Sequence, residues 1–216
     1  MSNEFIISLG TAQDGGYPHV GCINSCCTRV ENNPNLKRLI SSIGIVDPEQ
    51  RKFWIIDLSP DINEQLRILN KYINKYKYPH FSGIFLTHAH IGHYAGLLNL
   101  GLEVLNLSNI PVYVFPRMKS FLNKNLIFRQ LIDNQNIILK DMDSSINVEL
   151  TDNVFISAFL VPHRNELSET VGYKIKGSKK SLIYIPDIDS WEEWDTALDH
   201  LIENNDILIL DGTFYT

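Results

Sequence analysis

Three histidines that directly follow a short apolar strand constrain this chain more than any other feature of its sequence. They lie in the segment Thr87-His88-Ala89-His90-Ile91-Gly92-His93, after the predicted strand Gly83-Ile84-Phe85-Leu86 and before a predicted helix. On an extended segment, side chains two positions apart point to the same side, so His88 and His90 can share one metal ion. We expect His93 to begin the helix and to point into the same pocket.

The chemistry of these three side chains indicates a catalytic metal site. Imidazole is the commonest protein ligand for transition metals. Three neutral imidazoles leave one coordination position open to water, as catalytic zinc sites do. The alternative is a polar loop whose histidines have no shared role. Three histidines within six positions at a strand end favour the metal site over that interpretation.

Two later residues stand at comparable places in the chain. His163 follows the strand end Val161-Pro162, and Asp187 follows the strand end Ile185-Pro186. Open-sheet proteins often place functional groups at such ends. A single histidine after a strand is more often a surface or capping residue. The prediction that both residues join the metal site therefore depends on the histidine triplet.

Length and composition agree with a folded chain and exclude several classes of protein. Hydrophobic residues make up 44% of the 216 positions and charged residues 20%, which is unlike a disordered segment. The formal net charge of -6, with no block of Lys or Arg, argues against a nucleic-acid-binding protein. Many short predicted strands with interspersed helices indicate a layered α/β architecture. No signal peptide or membrane span is predicted, so we expect a cytoplasmic chain.

The triplet, the later histidine and the later aspartate together resemble the pattern of the metallo-β-lactamase superfamily. Asp57, which ends a predicted strand before Ser59-Pro60-Asp61-Ile62, matches the first acidic motif of that superfamily. The triplet matches the second motif, His163 the third and Asp187 the fourth. The resemblance covers nearly the whole chain. It implies one α/β domain over residues 1–216 with the αββα sandwich fold.

Within the superfamily, the chain is similar to the PqqB-type proteins, which are linked to synthesis of the cofactor pyrroloquinoline quinone. The similarity lies in Leu9-Gly10-Thr11-Ala12-Gln13-Asp14-Gly15-Gly16 with its nearby cysteines, Leu58-Ser59-Pro60-Asp61-Ile62, and Asp211-Gly212-Thr213-Phe214. It does not define a substrate, because some PqqB-like proteins have no known role in that pathway. We interpret Asp14 as a residue that caps its own turn, with a reach into the metal pocket as the alternative.

Two departures from the superfamily pattern bear on a second metal ion. The superfamily usually has an aspartate before the last histidine of the triplet, where it binds the second metal, and this chain has Gly92 there. Similar proteins also continue past the Asp-Gly-Thr-Phe motif to a further ligand histidine, whereas this chain stops at Thr216. We therefore expect either a fold that lacks its C-terminal portion or a degenerate second site. In a degenerate site, His93 and Asp187 would bind metal weakly and one ion would be the resting state.

The resemblance implies a metal-dependent hydrolase that acts on an ester or a phosphodiester-type substrate through a metal-activated water. The expected metal ligands are His88, His90, His93, His163 and Asp187. Zinc is the expected metal, as one or two ions, and iron and manganese are the alternatives. Asp57 and Asp187 are the expected catalytic carboxylates, with Asp57 orienting the histidine loop through hydrogen bonds.

Two other functions stay open. An iron-dependent oxidative enzyme of pyrroloquinoline quinone synthesis would use the same ligands. A non-catalytic metal-binding module with a degenerate second site would account for Gly92. The expected partner is a small-molecule substrate, without nucleic acid or membrane, and a homodimer stays open.

A second cluster of metal-binding residue types precedes these motifs. Cys22, Cys26 and Cys27 lie within six positions, and their odd number suits no disulfide framework. Clustered thiols in a reducing compartment indicate a structural zinc site with His19 as the fourth ligand. PqqB-like proteins often carry cysteines in this region, which supports the prediction. Free thiols are the alternative.

Overall fold

The computed structural model describes residues 4–73, 80–195 and 198–213, which form two stacked β-sheets with helices outside them. The strands of the first sheet are β1 (Phe5–Gly10), β2 (Ser42–Asp47), β3 (Lys52–Ile56), β4 (His80–Phe85), β5 (Ile110–Val114) and β6 (Ile137–Asp141). They lie side by side in chain order. The strands β1 to β3 pair antiparallel, and β3 to β6 pair in parallel. Parallel neighbours need a crossover connection, so helical segments join β3 to β6.

The second sheet contains five strands and is mostly antiparallel. Its strands are β7 (Asn147–Thr151), β8 (Val154–Leu160), β9 (Val171–Lys176), β10 (Ser181–Ile185) and β11 (Ile207–Leu210). Their order across the sheet is β11-β10-β9-β8-β7. Only the pair β10 and β11 is parallel among these strands, because a crossover that contains a short helix separates them in the chain.

Six α-helices and two short 3-10 helices connect the described strands. The α-helices are α1 (Ser25–Asn32), α2 (Ile62–Ile73), α3 (Ile91–Tyr94), α4 (Pro116–Lys124), α5 (Leu126–Asp133) and α6 (Leu198–Glu203). The 3-10 helices span Pro34–Leu36 and Ala95–Leu100. None of the helices within the described ranges is long and apolar enough to cross a lipid bilayer.

Alternation of side chains along the strands produces the layers. In the first sheet, Ile43 and Ile45 of β2 point toward the second sheet, where they pack in one buried cluster with Tyr173 and Tyr184. Their neighbour Val46 belongs to the opposite face, which packs against α2, α4 and α5. Each fully buried aliphatic side chain stabilises the fold by roughly 1.5–3 kcal/mol.

The outer face of the second sheet carries a thinner cover. Ile183 and Ile185 of β10 pack there with Trp191, Trp194 and Leu201, the last of which belongs to the short helix α6. The order of layers is therefore helices, first sheet, second sheet and helix. This arrangement confirms the predicted α/β fold with an αββα sandwich.

The topology brings several loops to one edge of the sandwich. Asp14 follows β1, Asp57 follows β3, and the histidine triplet follows β4. His163 follows β8 and Asp187 follows β10 in the second sheet. Each of these side chains thus stands just beyond the carboxyl end of a strand. Loops from both sheets therefore contribute side chains to this edge of the sandwich.

One buried hydrogen bond joins the two sheets directly beneath the histidine loop. The fully buried Tyr173 hydroxyl of β9 donates a 2.6 Å hydrogen bond to the Leu86 carbonyl oxygen, one residue beyond β4. A Tyr173→Phe substitution keeps the ring and leaves this carbonyl without that donor. We expect a loss of about 1–3 kcal/mol in the free energy of unfolding, measured by urea denaturation. The control Tyr72→Phe, at an exposed position of α2, should change stability by less than about 0.5 kcal/mol.

Candidate metal centre

Two hydrogen bonds to the segment 168–171 hold the backbone of the histidine loop. The Thr87 carbonyl oxygen accepts a 3.1 Å hydrogen bond from the Val171 backbone N–H. The Ala89 N–H donates a 2.8 Å hydrogen bond to Ser168 Oγ. His90, with φ -93° and ψ 148°, is the last extended residue before α3 begins at Ile91. The loop is therefore extended through His90.

Four side chains converge at the edge of the sandwich, as the sequence predicted for them. They are His88, His90, His163 and Asp187, and each offers one donor atom within 4.8 Å of the donors of the other three. His90 Nδ1 lies 2.9 Å from His88 Nε2 and 3.1 Å from His163 Nε2. Asp187 Oδ2 lies 3.1 Å from His88 Nε2 and 3.7 Å from His163 Nε2. We call these four residues the first ligand group.

The spacing within the first ligand group agrees with metal coordination. Ligand atoms bound to a tetrahedral zinc ion at 2.0–2.1 Å are about 3.3–3.4 Å from one another. The four measured separations, from 2.9 to 3.7 Å, lie on both sides of that value. Asp187 Oδ1 is also buried without a hydrogen-bond partner in the described part of the chain. A buried carboxylate oxygen without a donor is rare in proteins, and a bound cation would account for it.

The protonation states of the group suit a cation. Burial is the main cause that lowers the pKa of His88 to about 3, and the positive charge of neighbouring His93 adds to it. His88 is therefore neutral near pH 7 and keeps a lone pair for a metal. Burial opposes ionisation of Asp187, but its contacts with His88 and His93 outweigh that effect and hold its pKa below the usual range. The neutral His88 imidazole and the ionised Asp187 carboxylate fit a divalent transition metal.

Two further carboxylates fix the orientation of the imidazole rings. Asp189 Oδ1 lies 2.7 Å from His163 Nδ1, and Asp57 Oδ2 lies 2.7 Å from His93 Nδ1. A carboxylate on Nδ1 keeps a proton there and leaves Nε2 free as a ligand. The sequence analysis did not identify Asp189. Its spacing of two positions from Asp187, just after a strand, is the signal that would have indicated it.

Asp57 occupies a position behind the histidine loop. It is fully buried, has a positive φ of 63°, and accepts hydrogen bonds from Thr87 N at 2.8 Å and Thr87 Oγ1 at 2.9 Å. Thr87 Oγ1 in turn lies 3.0 Å from His88 Nδ1. These hydrogen bonds are the orienting contacts that the sequence analysis expected of Asp57. The Asp57 carboxylate is buried behind His93, where it can position that ring, and its catalytic role stays a prediction.

The His93 ring faces two carboxylates. Its Nε2 lies 3.2 Å from Asp14 Oδ1 and 3.3 Å from Asp187 Oδ2. Asp14, His93 and Asp187 form a second set of donors within 4.8 Å of one another, which we call the second ligand group. The interpretation of Asp14 as a turn cap was wrong. The turn that contains it directs its carboxylate into the pocket.

The cysteines form a separate cluster that includes three of the four predicted residues. The sulfur atoms of Cys22, Cys26 and Cys27 lie within 4.8 Å of one another, and all three are free thiols. Cys26 and Cys27 belong to the first turn of α1, while Cys22 precedes it. His19 is not a member of this cluster, since its Nδ1 lies 2.9 Å from the Val20 carbonyl oxygen. Its backbone N–H instead approaches Cys27 Sγ at 3.4 Å.

Comparison with known proteins identifies the family. A family model described as the Beta-lactamase superfamily domain matches residues 54–216, which is more than half of the chain. The chain belongs to the metallo-β-lactamase superfamily. This confirms the resemblance that the histidine triplet, His163 and Asp187 carry.

The relatives of this superfamily member include PqqB proteins. Coenzyme PQQ synthesis protein B of Methylorubrum populi is 25% identical over 228 residues, covering 96% of this chain and 72% of the relative. The protein of the same name from Acinetobacter baumannii is 26% identical over 230 residues, covering 98% and 74%. These matches confirm the similarity to the PqqB-like subgroup.

Solved structures of the superfamily share the fold. Zinc-bound PqqB from Methylobacterium extorquens matches with a TM-score of 0.76 at 24% identity, over 96% of this chain and 72% of that one. A diphosphatase from the PhnP family matches with a TM-score of 0.68 at 21% identity, over the same shares.

Removal of two histidines tests the metal centre. We expect a His88→Ala/His90→Ala variant to lose about one equivalent of metal per chain, because both rings belong to the first ligand group. Elemental analysis of protein purified without added metal measures the loss. The matched control His80→Ala/His200→Ala removes two exposed histidines outside the group and should leave metal content unchanged. Equal metal content in both double variants would contradict the assignment.

A second prediction concerns ring orientation. Asp189→Asn replaces the carboxylate that contacts His163 Nδ1, at an exposed position where folding should be unaffected. We expect zinc affinity to fall by roughly 10- to 100-fold, measured by competition with a chromophoric chelator. The control Asp152→Asn, in the turn between β7 and β8, should bind zinc like the wild type. Unchanged affinity in Asp189→Asn would remove the positioning role.

Proposed function

We propose that this superfamily member is a metal-dependent hydrolase that acts on an ester or phosphodiester-type small molecule. The observation that carries the proposal is the first ligand group, in which three imidazoles and one carboxylate converge at the edge of the sandwich. His88, His90, His163 and Asp187 would hold zinc, and the same donors also accept iron or manganese. A divalent metal held there would polarise the substrate and lower the pKa of a water molecule enough to make it a nucleophile near neutral pH.

The exposed side of the site favours an anionic substrate. His90 is the more exposed ring of the group, at 18%, whereas His88 is almost completely buried. Arg164 is exposed beside it, and its charge acts on the ring: burial first, then His163 and Arg164, lower the pKa of His90. Glu166 Oε2 lies 3.6 Å from His90 Nε2. The loop after β8 therefore places a guanidinium and a carboxylate near His90, and the Arg164 guanidinium would contact the charge of a phosphodiester.

The relatives support the class of reaction. The PhnP-family neighbour is a diphosphatase, and its fold matches over 96% of this chain. We propose hydrolysis of this kind for the present chain because of its ligand groups and because Arg164 lies near His90. The burial of His88 and Asp187 would exclude bulk water from one side of the reacting atoms.

A second candidate function follows from the PqqB relatives. Their identity of 25% extends over 96% of this chain, including the segment before residue 54. We therefore propose, as the alternative, a role in coenzyme PQQ synthesis, with an oxidative reaction if iron is the bound metal. The donor set does not select between iron and zinc.

The three-thiol cluster would hold a separate structural zinc ion. Its three sulfur donors lie together on one loop and the start of α1, and none of them belongs to the two ligand groups. Three thiolates would leave one coordination position for a fourth ligand.

Turnover of a generic aryl phosphodiester tests the leading proposal. We expect activity with zinc, manganese or iron, and loss to background in His88→Ala. Arg164→Ala should raise KM by roughly 3- to 10-fold with little effect on kcat, because it removes one exposed charge contact worth about 1 kcal/mol. Arg67→Ala, on the exposed face of α2, is the matched control. A fully metal-loaded wild type without turnover under any of the three metals would reject hydrolysis and favour the alternatives.

A further inference from the structure

The second ligand group contains buried donor atoms that the rest of the protein does not use. His93 is 1% exposed, its Nδ1 is paired with Asp57, and its Nε2 has no hydrogen-bond partner among the described residues. Asp14 Oδ1 is likewise buried and unpartnered within those residues. The two atoms face each other at 3.2 Å. An imidazole nitrogen and two carboxylates that converge on one point suit a cation.

The second ligand group brings two carboxylates to one imidazole. Asp14 Oδ1 lies 3.2 Å and Asp187 Oδ2 lies 3.3 Å from His93 Nε2. A cation among these three donors would be within reach of all of them.

Gly92 allows the carboxylate of Asp14, from the loop after β1, to reach His93. A Cβ atom at position 92 would overlap Asp14 Oδ1 and lie 3.0 Å from Asp14 Cγ. The volume that any side chain at position 92 would need is therefore filled by the Asp14 carboxylate. The absence of a side chain at Gly92 is what permits the loop after β1 to approach the histidine loop.

Hydrogen bonds connect the loops that carry the two carboxylates. Gln13, next to Asp14, donates from Nε2 to Asp211 Oδ1 at 3.1 Å and to Thr213 Oγ1 at 2.6 Å. Asp211 Oδ2 accepts a 3.2 Å hydrogen bond from the backbone N–H of Ile188, next to Asp187. The Asp-Gly-Thr segment after β11 is thus hydrogen-bonded to the chain neighbours of both Asp14 and Asp187, which fixes the two loops relative to each other. Phe214, the last residue of that motif, lies outside the described residues.

We infer that Asp14 supplies the carboxylate of a second metal position, with His93 and the shared Asp187 as its other ligands. The inference rests on the metal centre of the proposed function and deepens it from one metal position to two. It replaces the expectation of a second site that lacks a carboxylate at Gly92. Asp187 Oδ2, at 3.1 Å from His88 Nε2 and 3.3 Å from His93 Nε2, is the donor common to both positions. A metal pair can stabilise both the attacking and the leaving oxygen of a phosphodiester.

The test counts zinc equivalents per chain in chelator-buffered zinc, for protein whose folding is checked by circular dichroism. We expect Asp14→Asn to bind about one equivalent less than the wild type and to gain less thermal stability from added zinc. The control Asp152→Asn should match the wild type in both measurements. Because every comparison is with the wild type, zinc at the three-thiol cluster cancels. The same number of equivalents in folded Asp14→Asn and in the wild type would overturn the inference.

A swap of the carboxylate between the loops provides the stricter measurement. Asp14→Gly should lose the equivalent, and the double variant Asp14→Gly/Gly92→Asp should recover it, because the vacated volume then accepts the new side chain. Gly92→Asp alone should lower the melting temperature, since Asp14 still occupies that volume. Failure of the double variant to recover zinc while it remains folded would count against the shared position.

The His88→Ala/His90→Ala variant separates this inference from the proposed function. If that variant loses one equivalent of zinc and Asp14→Asn loses none, the first metal position is supported and the second is rejected. If neither variant loses zinc relative to the wild type, the metal centre itself is rejected, and the inference with it.

Discussion

The carboxylate of Asp187 is the group on which the rest of the centre depends. It comes from the loop after β10 in the second sheet, and its Oδ2 lies 3.1 Å from His88 Nε2 and 3.3 Å from His93 Nε2, both from the first sheet. His163 of its own sheet approaches at 3.7 Å. Three imidazoles from two sheets therefore face one anion. The buried inner faces of the sheets keep these loops together, since the strands that precede them belong to one packed core.

Several buried atoms at this edge are available to a cation. Asp187 Oδ1, Asp14 Oδ1 and His93 Nε2 are buried and make no hydrogen bond within the described chain. Buried charges and polar atoms cost several kcal/mol unless they are paired or coordinate a metal. The positioning contacts of Asp57 and Asp189 already engage the Nδ1 atoms of His93 and His163. The donors left over are those that point into the pocket, which is the arrangement expected of a protein that folds around bound metal.

The site residues that could be predicted are those whose role depends on residues nearby in the sequence. His88 and His90 are two positions apart on an extended segment, which places their side chains on the same side. This spacing can be recognised from the sequence alone. The superfamily resemblance then indicated His163 and Asp187. Asp14 was interpreted as a turn cap because a glycine-rich loop explains an aspartate locally. Nothing local distinguishes that role from a reach into a pocket, and the deciding contact is with His93, in another loop.

The sequence by itself determined the fold family and the first ligand group. The apolar strands predicted a layered α/β fold, the motif resemblance implied the sandwich, and the histidine spacing predicted a metal site at the end of β4. Only the tertiary structure decided that Gly92 makes room for Asp14, that Asp57 lies behind His93, and that the His19 ring is not part of the three-thiol cluster. Only it joined Gln13 to Asp211, which are 198 positions apart. The physical reason is that these contacts form where the packed sheets bring loops together. The separation of two residues along the chain does not indicate which loops become neighbours.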